Sequence, residues 1–495
     1  MNRRRFLKTV GITVAALALP RSGCAPYNKN KKPNLLFVMA DQFRKQAIGF
    51  MNQDPVITPN FDKFAKRSMV FTNAVSTCPI CSPFRAMLMT GRFPLSTGVA
   101  SNCMPGTDLQ LKDDEICFGD VLKANGYQTG YIGKWHLEIP SLNKAKNPPD
   151  GATVSWDGWT PPGQRRHGFD FWYAYNCNGS HFDPVYWKHT PKRIDIKQWS
   201  VEHETDVAID FIKNRQKEKP FALFVSWNPP HPPYIAPDKY KALYEDKKLP
   251  PRPNVKSSQK YEKSVMPYLA AVTSCDDNFS RLLKTLDELN LADDTIVIFT
   301  ADHGEMMGSH ARFGKSVWYE EAIGIPFLIR WPGHIKNKRK NMPFACYNFM
   351  PTLLGLLGLP IPKTVEATDY SALLLGKDMQ KPSSALIASY GNPGKLLALG
   401  QKPSKWALAA EKLRLKGIDW RTIGYRGLRT KRYTYVVDRG RQGKNLKRLL
   451  YDNEKDPYQL NPVQATDAQE NPIMAELDKE LQLWLNKMND PFPLK

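Results

Sequence analysis

The sequence predicts an α/β fold: a large mixed, mostly parallel sheet sandwiched by helices, with a smaller C-terminal α+β subdomain built on a short antiparallel sheet. Two observations carry this reading. Apolar runs of strand length alternate with helix-period segments over most of the chain, as buried parallel strands joined by crossover helices require. After about residue 375 the alternation gives way to short runs of period two, which suit a small antiparallel sheet. The length of 495 residues and a hydrophobic share of 42% supply a sizeable core and exclude disorder as the main state.

The elements follow in order. Asn34-Leu-Leu-Phe-Val-Met-Ala40 is a buried-strand run. Residues 59–67 and 82–90 have helical spacing. Residues 113–125 read as a helix closed by Gly126, a residue suited to the left-handed C′ position. Tyr127–Ile132 is the next strand. A helix over 200–217 precedes the strand Phe221–Trp227, and a helix over 263–290 precedes the strand Thr295–Thr300. Ile325–Trp331 is a further strand, followed by a helix near 348–358. Arg432-Tyr-Thr-Tyr-Val-Val437 alternates as a half-buried strand, and 470–488 is a closing amphipathic helix. The expected domains are 30–375, the large α/β unit, and 376–495, the C-terminal subdomain.

The N-terminus, MNRRRFLKTVGITVAALALPRSGC, has five basic residues and no acid, with an apolar stretch from Val10 to Leu19. That stretch has the length of a signal h-region and is short for a bilayer span. Residues 1–24 are therefore expected to be a removed export signal. Arg3-Arg4-Arg5-Phe6-Leu7-Lys8 resembles a twin-arginine signal. Ser22-Gly23-Cys24 resembles a lipoprotein cleavage site, although Arg21 stands where Leu is usual. The expected location is the bacterial periplasm, with Cys24 as the point of any lipid anchor to a membrane.

The net charge is +22, and removal of residues 1–24 leaves +17. Such a balance points to a polyanionic partner: nucleic acid, a membrane surface or an acidic polymer. Residues 401–450 hold 15 Lys/Arg against three acids, with Trp406, Trp420, Tyr425, Tyr433 and Tyr435 interleaved. The pattern fits polymer binding, and it equally fits a solvated sheet face.

Ligands in α/β sheets bind beyond the carboxyl ends of strands. Four predicted strands end in polar groups: Asp41-Gln42, Gly133-Lys134-Trp135-His136, Asn228-Pro-Pro-His231 and Ala301-Asp302-His303-Gly304. Asp41, Gln42 and Asp302 offer oxygen ligands, which suit Ca²⁺ or Mg²⁺ better than zinc. Lys134, and Lys315 after Gly314, place cations where a phosphate or sulfate ester would develop negative charge. Histidines that exchange protons near neutral pH complete the set.

The most specific segment is Cys78-Pro-Ile-Cys81-Ser-Pro-Phe-Arg85, followed by a helix and Thr90-Gly91-Arg92. As a CxxC pair it would need a thioredoxin-like context or a second pair, and the sequence has neither. Cys81-x-Pro83-x-Arg85 instead resembles the signature of the type I sulfatases, within the alkaline-phosphatase-like superfamily. Phe84 stands where that signature usually has Ser. Pro33–Gln42, Gly133–His136, Pro230-His231-Pro-Pro, Thr300–Glu305, Gly314-Lys315, Met350–Gly355 and Leu450–Pro457 are similar to family landmarks, in the family's order.

The resemblance implies a maturation enzyme that oxidises Cys81 to formylglycine, whose hydrate is the nucleophile. It implies that Asp41, Gln42, Asp302 and His303 hold a divalent ion, Ca²⁺ before Mg²⁺, which residue 81 touches. It gives Arg85 and Lys134 to the hydrate, Lys134 and Lys315 to the sulfate oxygens, His231 as general acid to the leaving alcohol, and His136 as base for the second hydroxyl. His181, in the aromatic stretch Gly168–His181, is a substrate-contact candidate, with a packed loop as the competing reading. The expected substrate is a sulfated carbohydrate rather than nucleic acid. A phosphoesterase or phosphonate monoester hydrolase of the same superfamily, or a small-molecule arylsulfatase, is the alternative.

Overall fold

The computed structural model describes residues 32–104, 106–139, 157–177, 179–396, 404–444 and 446–495. Residues 1–24, where the export signal and Cys24 are expected, and part of the basic stretch lie outside the described residues.

The principal strands are β1 (Asn34–Asp41), β2 (Met69–Phe71), β3 (Gln128–Lys134), β4 (Phe171–Tyr175), β5 (Phe221–Pro230), β6 (Thr295–Ala301), β7 (Phe327–Arg330) and β8 (Arg339–Lys340). They form one eight-stranded sheet in the order β8-β2-β7-β6-β1-β5-β3-β4. The block β6-β1-β5-β3-β4 is parallel throughout, and β7 joins it antiparallel. Every residue of β1, β5 and β6 is buried, which explains their continuous apolar runs.

Register shows how both faces are covered. Phe37 pairs with Phe224, and Phe224 meets Phe118 and Phe169 on one face. Phe299 is level with Val38, the next residue along, and meets Phe61 and Phe279 on the other. The helices α1 (Pro59–Ala65), α2 (Cys81–Thr90), α3 (Phe118–Ala124), α4 (Ser200–Lys213), α5 (Gln259–Glu288), α6 (Phe349–Leu356) and α7 (Pro472–Lys487) supply those layers. Beyond the main sheet, β9 (Ser384–Ser389), β10 (Gly424–Thr430), β11 (Tyr433–Gly440), β12 (Lys447–Asp452) and β13 (Val463–Ala465) form a five-stranded antiparallel sheet.

Three local expectations change. The helix expected over 113–125 begins only at Phe118, because Cys117 and Asp120 cap its start reciprocally. The strand expected over 325–331 is interrupted at Pro326, which has no N–H to donate. The stretch Gly168–His181 contains the edge strand β4, whose Trp172, Tyr173 and Tyr175 are buried, so packing is the reading that holds for those rings. Among the described residues, no helix is long and apolar enough to cross a membrane.

Candidate active site

The polar endings of β1, β3, β5 and β6 meet at the carboxyl edge of the sheet, beside the first turn of α2. Asp41 closes β1 and is fully buried. Its Oδ2 accepts from Lys134 Nζ at 2.8 Å and from Arg85 Nη2 at 3.1 Å. Arg85 also donates to Asp302 Oδ2 at 3.2 Å, Lys134 O at 2.6 Å and Ser226 Oγ at 2.9 Å. One guanidinium thus ties together the ends of β1, β3, β5 and β6. Asp302 Oδ1 accepts the backbone N–H groups of Gln42 at 3.0 Å and His303 at 2.8 Å.

Cys81 is the first residue of the ten-residue helix α2, where helix N–H groups and dipole favour negative charge. Asn102 Oδ1 takes the Ser82 N–H at 3.0 Å, and Ser82 Oγ donates to the His136 carbonyl at 2.7 Å, which joins the helix start to the loop after β3. Cys81 Sγ lies 3.3 Å from His303 Nε2, 3.5 Å from Lys315 Nζ and 3.7 Å from Asp41 Oδ1. Burial and Asp41 push its thiol up, yet Lys315, Lys134 and His303 outweigh both and hold it well below the ordinary range. Cys78, three residues earlier, is pushed by burial up to about 12. The two cysteines are therefore chemically opposite, and the redox-pair reading has no support in their surroundings.

The histidines divide by position. His303 Nδ1 meets the Gly304 carbonyl at 3.0 Å, so its Nε2 faces Cys81 and both aspartates. His136 sits at φ 54°, in a left-handed turn two residues after Lys134 closes its strand. Its Nε2 lies 3.3 Å from the Cys103 carbonyl and its Nδ1 is buried without a hydrogen-bond partner. Burial, with Lys134 and Arg85, lowers its pKa against the opposing pull of the Cys81 side chain. His231 is half-buried, and its Nδ1 lies 2.8 Å from the Pro232 carbonyl. Burial, Lys315 and Lys134 hold its pKa well below the usual range. His181 is 1% exposed and its Nε2 meets the His231 carbonyl at 2.7 Å. It stands behind the His231 loop, in contact with protein backbone.

Asp41, Cys81, Asp302 and His303 each direct one ligand atom to a common point, the four atoms lying within 4.8 Å of one another. Two carboxylates, with the Gln42 amide alongside, suit a hard divalent cation. Lys315 Nζ donates to Gln42 Oε1 at 2.6 Å, and Lys134 Nζ donates to Asn228 Oδ1 at 3.2 Å. The residues expected from the sequence converge here, with His181 one layer behind. Glu305, Asn228, Asn102 and Ser226 join them. Asn228 and Glu305 stand within quoted motifs, where no role was assigned to them, whereas nothing local in the sequence marks Ser226 or Asn102.

A cysteine at a helix start, an arginine bridging two buried aspartates, and two lysines converging from separate strands and loops form an oxyanion site. The sulfatase family model matches residues 33–359 and so spans every group just described. The chain is a sulfatase. It is 37% identical to an endo-4-O-sulfatase of Bacteroides thetaiotaomicron, across 93% of each chain. It is 35% identical to an ulvan-active sulfatase of Formosa agariphila, across 93% of this chain and 82% of the relative. A solved structure from work on glycosaminoglycan metabolism by Bacteroides thetaiotaomicron superposes with a TM-score of 0.82 at 36% identity, covering 93% of this sulfatase and 97% of that chain. Family membership implies a metal and a formylglycine. In this sulfatase Phe84 is fully buried and packs edge-on to Phe349 at 6.3 Å, so the departure from the usual Ser serves the core.

Proposed function

We propose that this sulfatase hydrolyses sulfate esters of a carbohydrate, a polysaccharide or its oligosaccharides. Cys81 is converted to formylglycine by a maturation enzyme, and its Sγ stands where the oxygens of the hydrate will stand. The observation that carries the proposal is residue 81 at the start of α2, facing Lys315, His303 and Asp41 within 3.7 Å. Carbohydrate is favoured by the names of the two relatives reported above, an endo-4-O-sulfatase and an ulvan-active sulfatase.

Asp41, Gln42, Asp302 and His303 are the groups placed to hold Ca²⁺, which when bound supplies positive charge to the sulfate oxygens. Lys134 and Lys315 hold those oxygens, and Arg85 and Lys134 stabilise the ionised nucleophile. His231 protonates the alcohol oxygen as the S–O bond breaks. The two lysines depress its affinity for a proton in the free enzyme, and a bound sulfate ester brings negative charge that offsets them. His136 removes the proton whose loss expels sulfate and restores the aldehyde. Its unpartnered Nδ1 is the group available for this.

Mass spectrometry of the peptide around residue 81, from protein made in the native host, tests the nucleophile; unmodified cysteine alone would overturn it. Turnover of matched sulfate and phosphate esters tests the reaction, with preference for phosphate overturning it. Residues 1–24 are inferred to direct export to the periplasm, with cleavage before Cys24 leaving that residue as the lipid attachment point. Fractionation and N-terminal sequencing of the mature protein check both.

A further inference from the structure

We propose that Glu305 is a positioning residue: its carboxylate fixes the direction of the Gln42 side-chain amide and so presents the amide oxygen to Lys315 and to the cation site. The inference rests on the sulfatase site described above and adds a member to it.

Glu305 is fully buried. Its Oε1 accepts the backbone N–H groups of Met307 at 2.7 Å and Gly314 at 2.8 Å. Its Oε2 accepts from Gln42 Nε2, and the Tyr234 hydroxyl also hydrogen-bonds this side chain. A carboxylate that meets four donors acts only as an acceptor, and the Lys315 ammonium only donates. The Gln42 amide lies between them and has one self-consistent orientation: NH₂ to Glu305, oxygen to Lys315, the latter at 2.6 Å.

The Gln42 backbone is already pinned. Its φ is 64°, its N–H donates to Asp302 and its carbonyl accepts from the Tyr268 hydroxyl at 3.1 Å. The side-chain torsions are the freedom that remains, and Glu305 together with Lys315 sets the direction of the amide. The same carboxylate closes the turn leading to Lys315 and reaches Tyr234, three residues after His231. It therefore joins the loops that carry Gln42, His231 and Lys315.

The test is a four-protein cycle of wild type, Glu305→Gln, Gln42→Glu and the double swap. In Glu305→Gln, the remaining oxygen keeps its backbone bonds, but the new NH₂ faces the Gln42 NH₂. Turning the Gln42 amide over then sets its NH₂ against Lys315, so one contact is lost in either orientation. We expect kcat/KM on a sulfated oligosaccharide to fall about 10–100-fold, the usual cost of removing a partner that orients a ligand. Calorimetric binding of Ca²⁺ and of inorganic sulfate should weaken in parallel. Gln42→Glu alone sets two carboxylates face to face and should also lose activity. The double swap restores donor against acceptor, with a carboxylate now toward Lys315, and should recover activity and binding to within about threefold of wild type.

Equal activity and binding in wild type and Glu305→Gln, or a double swap no better than the worse single variant, would overturn the proposal. Wild-type protein that binds neither probe would overturn it as well. Failure of wild type to turn over the oligosaccharide, with the binding pattern intact, would refute the functional reading and leave Glu305 in its role.

Discussion

The catalytic edge and the C-terminal sheet are both rich in buried cations, and they spend them differently. At the catalytic edge Arg85, Lys134 and Lys315 converge on Asp41, Asp302 and the neutral Gln42, and Lys315 and Lys134 also act on residue 81. In the C-terminal sheet each buried arginine is answered by an acid from elsewhere. Arg426 pairs with Asp490 at 2.6 Å and lies between the rings of Tyr390 and Phe492. Arg429 pairs with Glu320, and Arg448 reaches Asp478 at 3.5 Å. One group of cations is held open for a ligand; the other is consumed by the fold. Charge count alone cannot tell them apart, whereas the partners can.

The largest expected effect follows from the nucleophile. Cys81→Ala should reduce kcat on sulfated oligosaccharides by at least about 10⁴-fold, the scale seen when a nucleophile is removed from an assembled site. Lys134→Met should cost about 10²–10³-fold in kcat/KM, because a charge preorganised toward the developing oxyanion is lost. Activity retained in Cys81→Ala would refute residue 81 as the nucleophile, and activity retained in Lys134→Met would mean that the cations at this edge serve the fold, so that the contrast between the two regions would collapse.

The C-terminal sheet should show the reverse pattern. Burial pushes the Glu320 carboxyl up, but Arg429 and Lys45 outweigh it and hold it at about 2. A carboxylate depressed on folding stabilises the native state above its unfolded value near 4.5, and the contribution disappears as pH falls toward 2. That depression corresponds to about 3 kcal/mol at neutral pH. Arg429→Met removes one of the two cations and leaves Lys45, so it should lower stability at pH 7 by part of that amount and flatten the acid limb of a denaturation profile. At full folding, its kcat/KM should stay near wild type.

Much of this was legible in the sequence, because parallel strands write their burial as unbroken apolar runs and their carboxyl ends as polar dipeptides. Asp41, Lys134, His231 and Asp302 each follow such a run. The remainder depends on contacts between residues far apart in the chain. Glu320 is 109 residues from Arg429, and no local pattern links them. The basic stretch 401–450 has a composition that fits a polymer-binding surface or a solvated sheet face, because the acids that answer its buried arginines lie elsewhere in the chain. Its aromatics are also largely committed: Tyr425 and Tyr435 are buried, and Trp420 and Tyr433 are half-buried. Phe84 shows the same limit, since a departure inside a catalytic signature is explained by Phe349, far along the chain. Phe84→Ser should cost about 3–5 kcal/mol in stability through the cavity it leaves, measured by denaturant titration.

The smallest expected effect falls on the exposed cations of the basic stretch. Lys412 and Lys416 lie at the surface around the helix Lys405–Leu415, and Arg441 and Lys444 lie in the turn after β11. Replacing all four by Gln should change stability by no more than about 0.5 kcal/mol per site, as solvated charges do. If the open cations of this sulfatase are confined to the catalytic edge, KM for a sulfated polymer should also hold steady and vary little with salt. A KM that rises several-fold in the quadruple variant, with wild-type affinity weakening steeply as ionic strength rises, would show that this surface steers the polymer. The division would then run within the C-terminal region, between arginines that face inward to acids and cations that face outward to substrate.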